Sequence, residues 1–221
     1  MGFFDLLKND YPPLVAQATE EIQEMVYLGR DMVTSAAAHL LENEVLEDDL
    51  SELDKRINRG EQRIRRTVFE HLSIHPEKDL IFSLKLISIV HEAERIGDLA
   101  KSLAKVAAMS KKPRLGPKVK PLREFRDHVL DLFQKLEKGF FKEETQEAEY
   151  IMETHKDLKK KVAIYIAELA NDDDITGNEG VVYALSARML NRVSAHIANI
   201  ASTVVSPLDQ IRRSAAWPED I

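Results

Sequence analysis

The sequence predicts an all-α protein built as a tandem repeat of two three-helix bundles. Among its 221 residues are only eight glycines and eight prolines, a composition typical of long helices. Apolar residues recur every three to four positions through most of the chain, as the buried face of a helix requires. One segment with three prolines and a glycine, residues 111–121, interrupts this pattern near the middle. A similar pattern of three helices lies on each side of it.

Breaks in the apolar pattern divide each half into three helices. In the first half, we expect helices over residues 14–41, from the acidic cluster at 47–49 to about 73, and over 76–110. In the second half, we expect helices over 122–141, 143–170 and 175–213, the last interrupted by Pro207. Gly97, in the middle of the third helix, indicates that another backbone approaches closely there.

The predicted organisation has four parts. They are a first bundle in residues 1–110, a basic linker acting as a hinge at 111–121, a second bundle in 122–213 and a loose tail at 214–221. An internal repeat supports this division, because AERIGDLAKSLA at 93–104 aligns with LNRVSAHIANIA at 190–201. Both segments occupy the third helix of their half.

Composition and charge exclude several classes of function. A net charge of −7 disfavours non-specific nucleic-acid binding. The lack of cysteine excludes thiolate chemistry and favours a cytoplasmic location. No apolar run approaches the roughly 20 residues of a membrane span. The N-terminal MGFFDLL leaves two alternatives: a weak anchor at the membrane surface, or an apolar hook that packs on the protein or on a second subunit.

Two columns of polar side chains carry the clearest chemical pattern. The third helix presents, opposite its apolar stripe, His91, Glu94 and Asp98. The second helix presents, at the edge of its stripe, Asp54, Asn58 and Glu61. If the two helices are antiparallel, the columns face each other and offer ligands that suit iron, zinc or manganese. Ordinary ion pairs with Lys101 and Lys105 on the same face are the alternative.

No pattern of an enzyme is present. The sequence has no glycine-rich phosphate loop, nucleophile elbow or Ser–His–Asp order, and His155 and His196 are expected to be packing or surface residues. A di-metal carboxylate enzyme is one alternative, although it would need two Glu-x-x-His columns around one four-helix core. A metal-free helical scaffold is another.

The segment HEAERIGDLAKSLA at 91–104 resembles the Glu-Arg-Ile-Gly-Asp signature of the PhoU family, the phosphate-uptake regulators. ELDKRINRGEQRI at 52–64 is similar to the second-helix motif of that family, and EKDLIFSLKLISIVHEAERIGD at 77–98 to the approach to the signature. The chain length, the tandem halves and the central linker agree as well. The resemblance therefore covers nearly the whole chain.

This resemblance implies both a fold and a role. The fold is a pair of three-helix bundles. The role is regulation of phosphate transport and signalling through contacts with a transporter ATPase or permease, a sensor histidine kinase, or both. Some relatives serve other transporters, so an accessory protein of a Pit-type or sodium-coupled transporter is an alternative. A location at the inner face of the membrane fits such partners, and the surplus apolar stripes of the long helices predict a homodimer.

The resemblance also implies clusters of iron, zinc, manganese or magnesium. Glu94 and Asp98 match the third-helix motif, Asp54 matches the first acid of the second-helix motif, and Asn58 stands where its second acid is expected. The second half departs from this pattern. Asn191 and Ala195 replace the signature acids, and His155 and Lys159 stand where second-helix carboxylates are expected. We therefore expect metal in the first repeat only, and weakly, because Asn58 is neutral.

Overall fold

The predicted all-α class is confirmed. The computed structural model describes residues 13–77, 80–140, 142, 144–206 and 211, and in these ranges it contains six α-helices, one short 3-10 helix at Pro117–Val119 and no strand. The α-helices are α1 (Pro13–Leu41), α2 (Leu50–Ile74), α3 (Leu80–Met109), α4 (Lys120–Gly139), α5 (Thr145–Ala170) and α6 (Gly177–Val205). The N-terminal MGFFDLL and the tail at 214–221 lie outside the described residues. Within the described ranges, no helix combines the length and apolar character needed to cross a bilayer.

The helices form two three-helix bundles that lie side by side. In the first bundle, α1 packs against α2 and α3, and in the second bundle α4, α5 and α6 contact one another pairwise. The bundles meet mainly where α3 packs against α6, with a smaller contact between α1 and α4. Both have fully buried apolar cores, to which α3 contributes Ile96 and α6 contributes Ile197. The residue limits of the two repeats remain a prediction.

Side chains fix several helix ends. Asp49 begins α2 by accepting hydrogen bonds from the backbone N–H groups of Ser51 and Glu52, at 3.0 and 3.1 Å. Thr176 and Glu179 form a reciprocal capping box at the start of α6. Such side chains satisfy N–H groups that have no partner inside the helix. The acidic cluster at 47–49 therefore marks a helix start, as predicted.

The linker makes hydrogen bonds to both bundles, the most buried of them to the first, and its role as a hinge remains a prediction. Arg114 is buried, and its Nε and Nη2 atoms donate to the carbonyl oxygens of Leu40 and His39, at 2.6 and 2.5 Å. Its backbone N–H donates to Asn43 Oδ1 at 2.9 Å. The last carbonyl groups of a helix need donors from elsewhere. The guanidinium supplies them and holds the linker against the end of α1.

Gly97 lies at a close contact between helices, although the neighbour is a side chain and not the backbone expected from the sequence. A Cβ atom on Gly97 would lie 2.9 Å from Ile57 Cδ1 and 3.5 Å from Asp54 Oδ1. The absence of a side chain therefore lets α2 approach α3 at the level of the polar columns. This contact determines the geometry of the candidate site.

Candidate functional site

The two polar columns face each other across the seam between α2 and α3. The central contact is made by Lys101, whose Nζ atom lies 2.6 Å from Asp54 Oδ2 and 3.0 Å from Asp98 Oδ1. Further along the seam, His91 Nδ1 lies 3.8 Å from Glu61 Oε1. From the contact of Asp54 with Lys101 to that of Glu61 with His91, the residue numbers rise along α2 and fall along α3. The two helices are therefore antiparallel. The prediction that the columns meet is confirmed.

Two of the acidic side chains are more buried than the sequence suggested. Asp54 is buried, because it shares the inward face of α2 with Leu50 and Ile57. Glu94 was expected opposite the apolar stripe of α3, yet its side chain is only 15% exposed. Asp54 therefore lies on the buried stripe of α2 and not at its edge, and Glu94 lies in the seam although its column is opposite the apolar stripe of α3. The lack of a side chain at Gly97 leaves room for the Asp54 carboxylate, whose Oδ1 lies 3.5 Å from the place of a Cβ atom there.

Lys101 neutralises the part of the seam formed by Asp54, Asn58 and Asp98, which we call its lower part. Burial acts to lower the pKa of Lys101, but its hydrogen bonds to Asp54 and Asp98 outweigh burial and raise that pKa. For Asp98, burial acts to raise the pKa, while the hydrogen bond and charge of Lys101 outweigh it and lower the value. Asn58 Nδ2 adds a hydrogen bond to Asp54 Oδ2 at 3.1 Å. The ion-pair alternative is thus confirmed for Lys101.

The other part of the seam, which is formed by Glu61, His91 and Glu94 and which we call its upper part, has a different electrostatic character. His91 Nδ1 lies 3.8 Å from Glu94 Oε2, and Arg65 Nη2 lies 2.7 Å from Glu61 Oε1. Burial, reinforced by the negative charge of Asp98, raises the pKa of Glu94 to about 7, although Arg95 acts in the opposite direction. Glu94 Oε2 is buried and accepts no hydrogen bond from the described residues. A cation here would meet the unpartnered oxygen of Glu94, although it would compete with Arg65 for Glu61.

The seam fits a metal ion only in part. Among the described residues, no three His, Asp or Glu side chains are already arranged as a ligand set. Two of the predicted ligands, Asp54 and Asp98, are held by the Lys101 ammonium, which a metal ion would have to displace. The remaining donors are Glu61, His91 and Glu94, which are the right types for iron, zinc or manganese. Asn58 already donates its amide to Asp54.

The same region of the second half is a pocket, which the sequence does not predict. It lies between α5 and α6 and is lined in part by His155, Lys159, Arg188 and Arg192. Burial, followed by the positive charges of Lys159 and His196, lowers the pKa of His155 to about 4. The signal that could have revealed this pocket is the i, i+4 pair of arginines on α6, beside the lost acids.

His155 and His196 are packing residues, as predicted. His155 is buried and its Nδ1 lies 2.9 Å from Ser194 Oγ. His196 Nδ1 lies 2.8 Å from Glu92 Oε2, on α3 of the first bundle. The buried Glu92 also accepts a hydrogen bond from Asn199 Nδ2 at 2.7 Å. This carboxylate therefore links the two bundles.

Comparison with known proteins agrees with the fold and with the motif on α3. Residues 22–107 match the family model of the PhoU domain. The chain is 24% identical over 206 residues to the phosphate-specific transport system accessory protein PhoU homolog 1 of Thermotoga maritima, which covers 90% of this chain and 84% of the relative.

Two crystal structures share the fold. PhoU from Pseudomonas aeruginosa superposes with a TM-score of 0.78 at 21% sequence identity, covering 87% of this chain and 95% of that one. The phosphate transport system regulatory protein PhoU from Streptococcus pneumoniae gives a TM-score of 0.72 at 22% identity, with the same coverage of 87% and 95%. The predicted resemblance to the PhoU family is confirmed by the match of residues 22–107 to the model of the PhoU domain, and the two crystal structures show that the fold is shared.

Proposed function

We propose that this chain is a non-enzymatic helical adaptor that regulates phosphate uptake by docking on a transport system. The observation that carries the proposal is the match of residues 22–107 to the PhoU domain. The relative from Thermotoga maritima is named an accessory protein of phosphate-specific transport, which supports the same role here. The partner would be a phosphate transporter ATPase or permease, a sensor histidine kinase, or both, at the inner face of the membrane. An accessory role for a Pit-type or sodium-coupled transporter is the alternative.

The docking surface that we propose is an exposed apolar end of the first bundle. Phe69, Ile74 and Ile81 are 72%, 69% and 62% exposed, where α2 passes into α3. Leu80 and Leu84, one turn apart on α3, are also exposed. We call these five residues the apolar end patch. Large apolar side chains gathered at one end of a bundle are typical of a protein–protein contact.

The test of this role is co-purification from cells grown at high and at low phosphate. We expect the tagged chain to retain a phosphate transporter component or a sensor kinase. The double variant Phe69→Asp/Ile81→Asp should remain folded, because both side chains are exposed, and should lose that partner. Val45→Asp, at an exposed position in the loop before α2, is the control. Retention of the partner by the double variant would reject the patch, and partners unrelated to phosphate would reject the role.

We propose that any bound metal is structural or regulatory and occupies the upper part of the seam. Glu61, His91 and Glu94 would hold iron, zinc, manganese or magnesium there. A cation at this position would neutralise Glu94 and fasten α2 to α3, so occupancy could bias the docking surface. Metal analysis of the purified protein and of His91→Ala/Glu94→Gln tests the site. Equal metal content in the two proteins would exclude it.

A metal-free adaptor is a second candidate, and Lys101 favours it. Its ammonium already compensates Asp54 and Asp98, so the first bundle does not need a metal ion to balance these acids. Partner binding that is unchanged by a chelator would favour this candidate. Partner binding that a chelator abolishes and added metal restores would favour the metal-dependent adaptor.

We propose in addition that the chain forms a homodimer. Exposed apolar side chains on the second bundle support self-association, including Ile164 on α5 and the pair Val181 and Leu185 on α6. Sedimentation equilibrium of the full chain is the test. A single monomeric species across the concentration range would reject the dimer without affecting the adaptor role.

A further inference from the structure

The pocket between α5 and α6 has the chemistry of an anion site. Its volume is about 250 Å³, and none of the eight described residues that line it is acidic. Six of these residues carry the argument: His155, Lys159, Arg188, Asn191, Arg192 and His196. Taking about 30 Å³ for each water molecule, the pocket could hold a tetrahedral oxyanion with part of its hydration shell.

The pocket occupies the position that the acidic seam has in the first half. In the alignment of the two repeats, His155 stands at the position of Asp54, Lys159 at that of Asn58, and Asn191 at that of Glu94. The acids Asp54 and Glu94 of the first half are thus replaced by His155 and Asn191, which are neutral near pH 7, and Lys159 adds a positive charge. Loss of two acids and gain of one cation favour a negatively charged ligand.

We propose that this pocket binds a tetrahedral oxyanion of the phosphate type, either inorganic phosphate or the phosphoryl group of a small ester. Arginine guanidinium groups match two phosphate oxygens at once, and lysine supplies a compact positive charge. The pocket presents two arginines, Arg188 and Arg192, together with Lys159. A cluster of this type is used widely for phosphate recognition.

The charge balance of the surroundings favours an anion. Glu92 contacts the pocket lining through His196 and Asn199. The lining itself contributes Lys159, Arg188 and Arg192 and, among its eight described residues, no carboxylate. Arg192 makes no hydrogen bond or ion pair within the described part of the chain, so its guanidinium is available to a ligand.

The polar groups of the pocket are also held in place. His155 Nδ1 lies 2.9 Å from Ser194 Oγ, and that hydroxyl donates to the carbonyl oxygen of Asn191. Asn191 Oδ1 is buried without a hydrogen-bond partner among the described residues. Rotation of this amide would present Nδ2 to an anion without breaking a hydrogen bond of the oxygen. A preorganised wall with an adaptable donor is what an oxyanion site requires.

The experiment is calorimetric titration of the purified full chain, in chloride buffer near pH 7, with inorganic phosphate and separately with glycerol phosphate. We expect saturable binding of at least one of them. The relative affinities assign the ligand to the free anion or to the ester. Lys159→Gln and Arg192→Gln should each weaken binding by about tenfold or more, the scale expected for one hydrogen bond to a charged group. A matching rise in melting temperature should accompany binding.

The matched control is Lys156→Gln/Lys160→Gln, which removes two charges from the exposed side of α5 and should leave binding unchanged. An equal loss in this control would reduce the effect to general charge and overturn the site. Absence of saturable binding to either anion would also overturn it. Arg192 is exposed, so its variant remains informative if the Lys159 variant fails to fold. The measurement needs no partner protein, so its result is separate from that of the adaptor role.

Discussion

Lys101 shows how one side chain can change the chemistry of a motif. The acids Glu94 and Asp98 stand in a spacing that suits metal binding, yet the ammonium one turn further along α3 bridges Asp98 to Asp54 on α2. Local spacing predicts the pair Asp98–Lys101. It cannot predict the shorter contact with Asp54, because that contact joins residues 47 positions apart. The distinction between a metal site and an internal ion pair therefore depends on tertiary packing.

Replacing Lys101 with methionine should destabilise the first bundle and increase its response to metal. Methionine keeps the apolar stem but leaves Asp54 and Asp98 without their counter-charge. We expect unfolding to become easier by about 2–3 kcal/mol, less than for a fully buried pair because Lys101 is partly exposed. Urea unfolding with and without Mn²⁺ measures both effects, and Lys105→Met on the exposed side of α3 is the control. A variant as stable as the wild type would contradict the bridging role.

His155 should make the protein less stable in mild acid. Its pKa is about 4 in the folded chain against an ordinary 6.5, mainly because it is buried. Between these values the unfolded chain binds a proton that the folded chain does not, so stability falls as the pH decreases from 6.5 to 4. The full effect is on the order of 3 kcal/mol.

The variant His155→Asn should remove this contribution while keeping a polar group near Ser194. We expect the difference in unfolding free energy between wild type and variant to grow as the pH rises from 4 to 6.5. Urea unfolding at several pH values measures it. A difference that stays constant with pH would show that His155 is already protonated in the folded protein.

At the scale of helices, the sequence predicts which helices form better than it predicts the residues at which they begin and end. All six helices are present, but α3 begins at Leu80 instead of residue 76, and α6 ends at Val205, just before Pro207. The residue before a proline avoids the helical conformation, which explains the second limit. The end of α1 depends on Arg114, more than 70 residues away. Apolar periodicity is local, whereas the donors that close a helix end come from anywhere in the chain.

The turn between α4 and α5 should not tolerate a side chain at Gly139. A Cβ atom there would lie 2.9 Å from the backbone nitrogen of Ala148 and 3.2 Å from the carbonyl carbon of Glu147. Backbone atoms cannot move aside as the end of a side chain can. We expect Gly139→Ala to lower the unfolding free energy by about 1–3 kcal/mol. Thermal and urea unfolding measure the loss.

Gly177, at the first position of α6, provides the matched control. A Cβ atom at that position meets nothing within 4 Å. Gly177→Ala should therefore be neutral or stabilising by up to about 1 kcal/mol, because alanine restricts the unfolded chain. Equal losses in both variants would mean that helix propensity and not the close backbone contact determines the effect at Gly139.

At the scale of the whole molecule, the two bundles share a fold and differ in charge at the same position. The repeat in the sequence predicts the shared fold, and the loss of acids at Asn191 and Ala195 predicts the end of metal binding in the second half. The basic pocket is not visible in that comparison alone, since Arg188 lies outside the aligned segment. The contact between bundles is also hidden, because Glu92 and Asn199 are 107 residues apart.

Glu92 should couple the stability of the two bundles. It is buried at the contact of α3 with α6, where its carboxylate meets His196 and Asn199 at 2.8 and 2.7 Å. Removing a buried charged partner leaves the other polar groups without compensation. We expect Glu92→Ala to lower the unfolding free energy by about 3 kcal/mol.

A double-mutant cycle with Asn199→Ala isolates the part of this loss that belongs to the contact. The coupling free energy should be about 1–2 kcal/mol, since the two side chains share one charge-assisted hydrogen bond. Hydrogen exchange should also report equal opening of α1–α3 and α4–α6 in the wild type, because separation would expose the apolar faces of α3 and α6 together. Additive single-variant losses, with unequal opening of the two halves, would mean that each bundle is stable alone and that Glu92 only orients its neighbour.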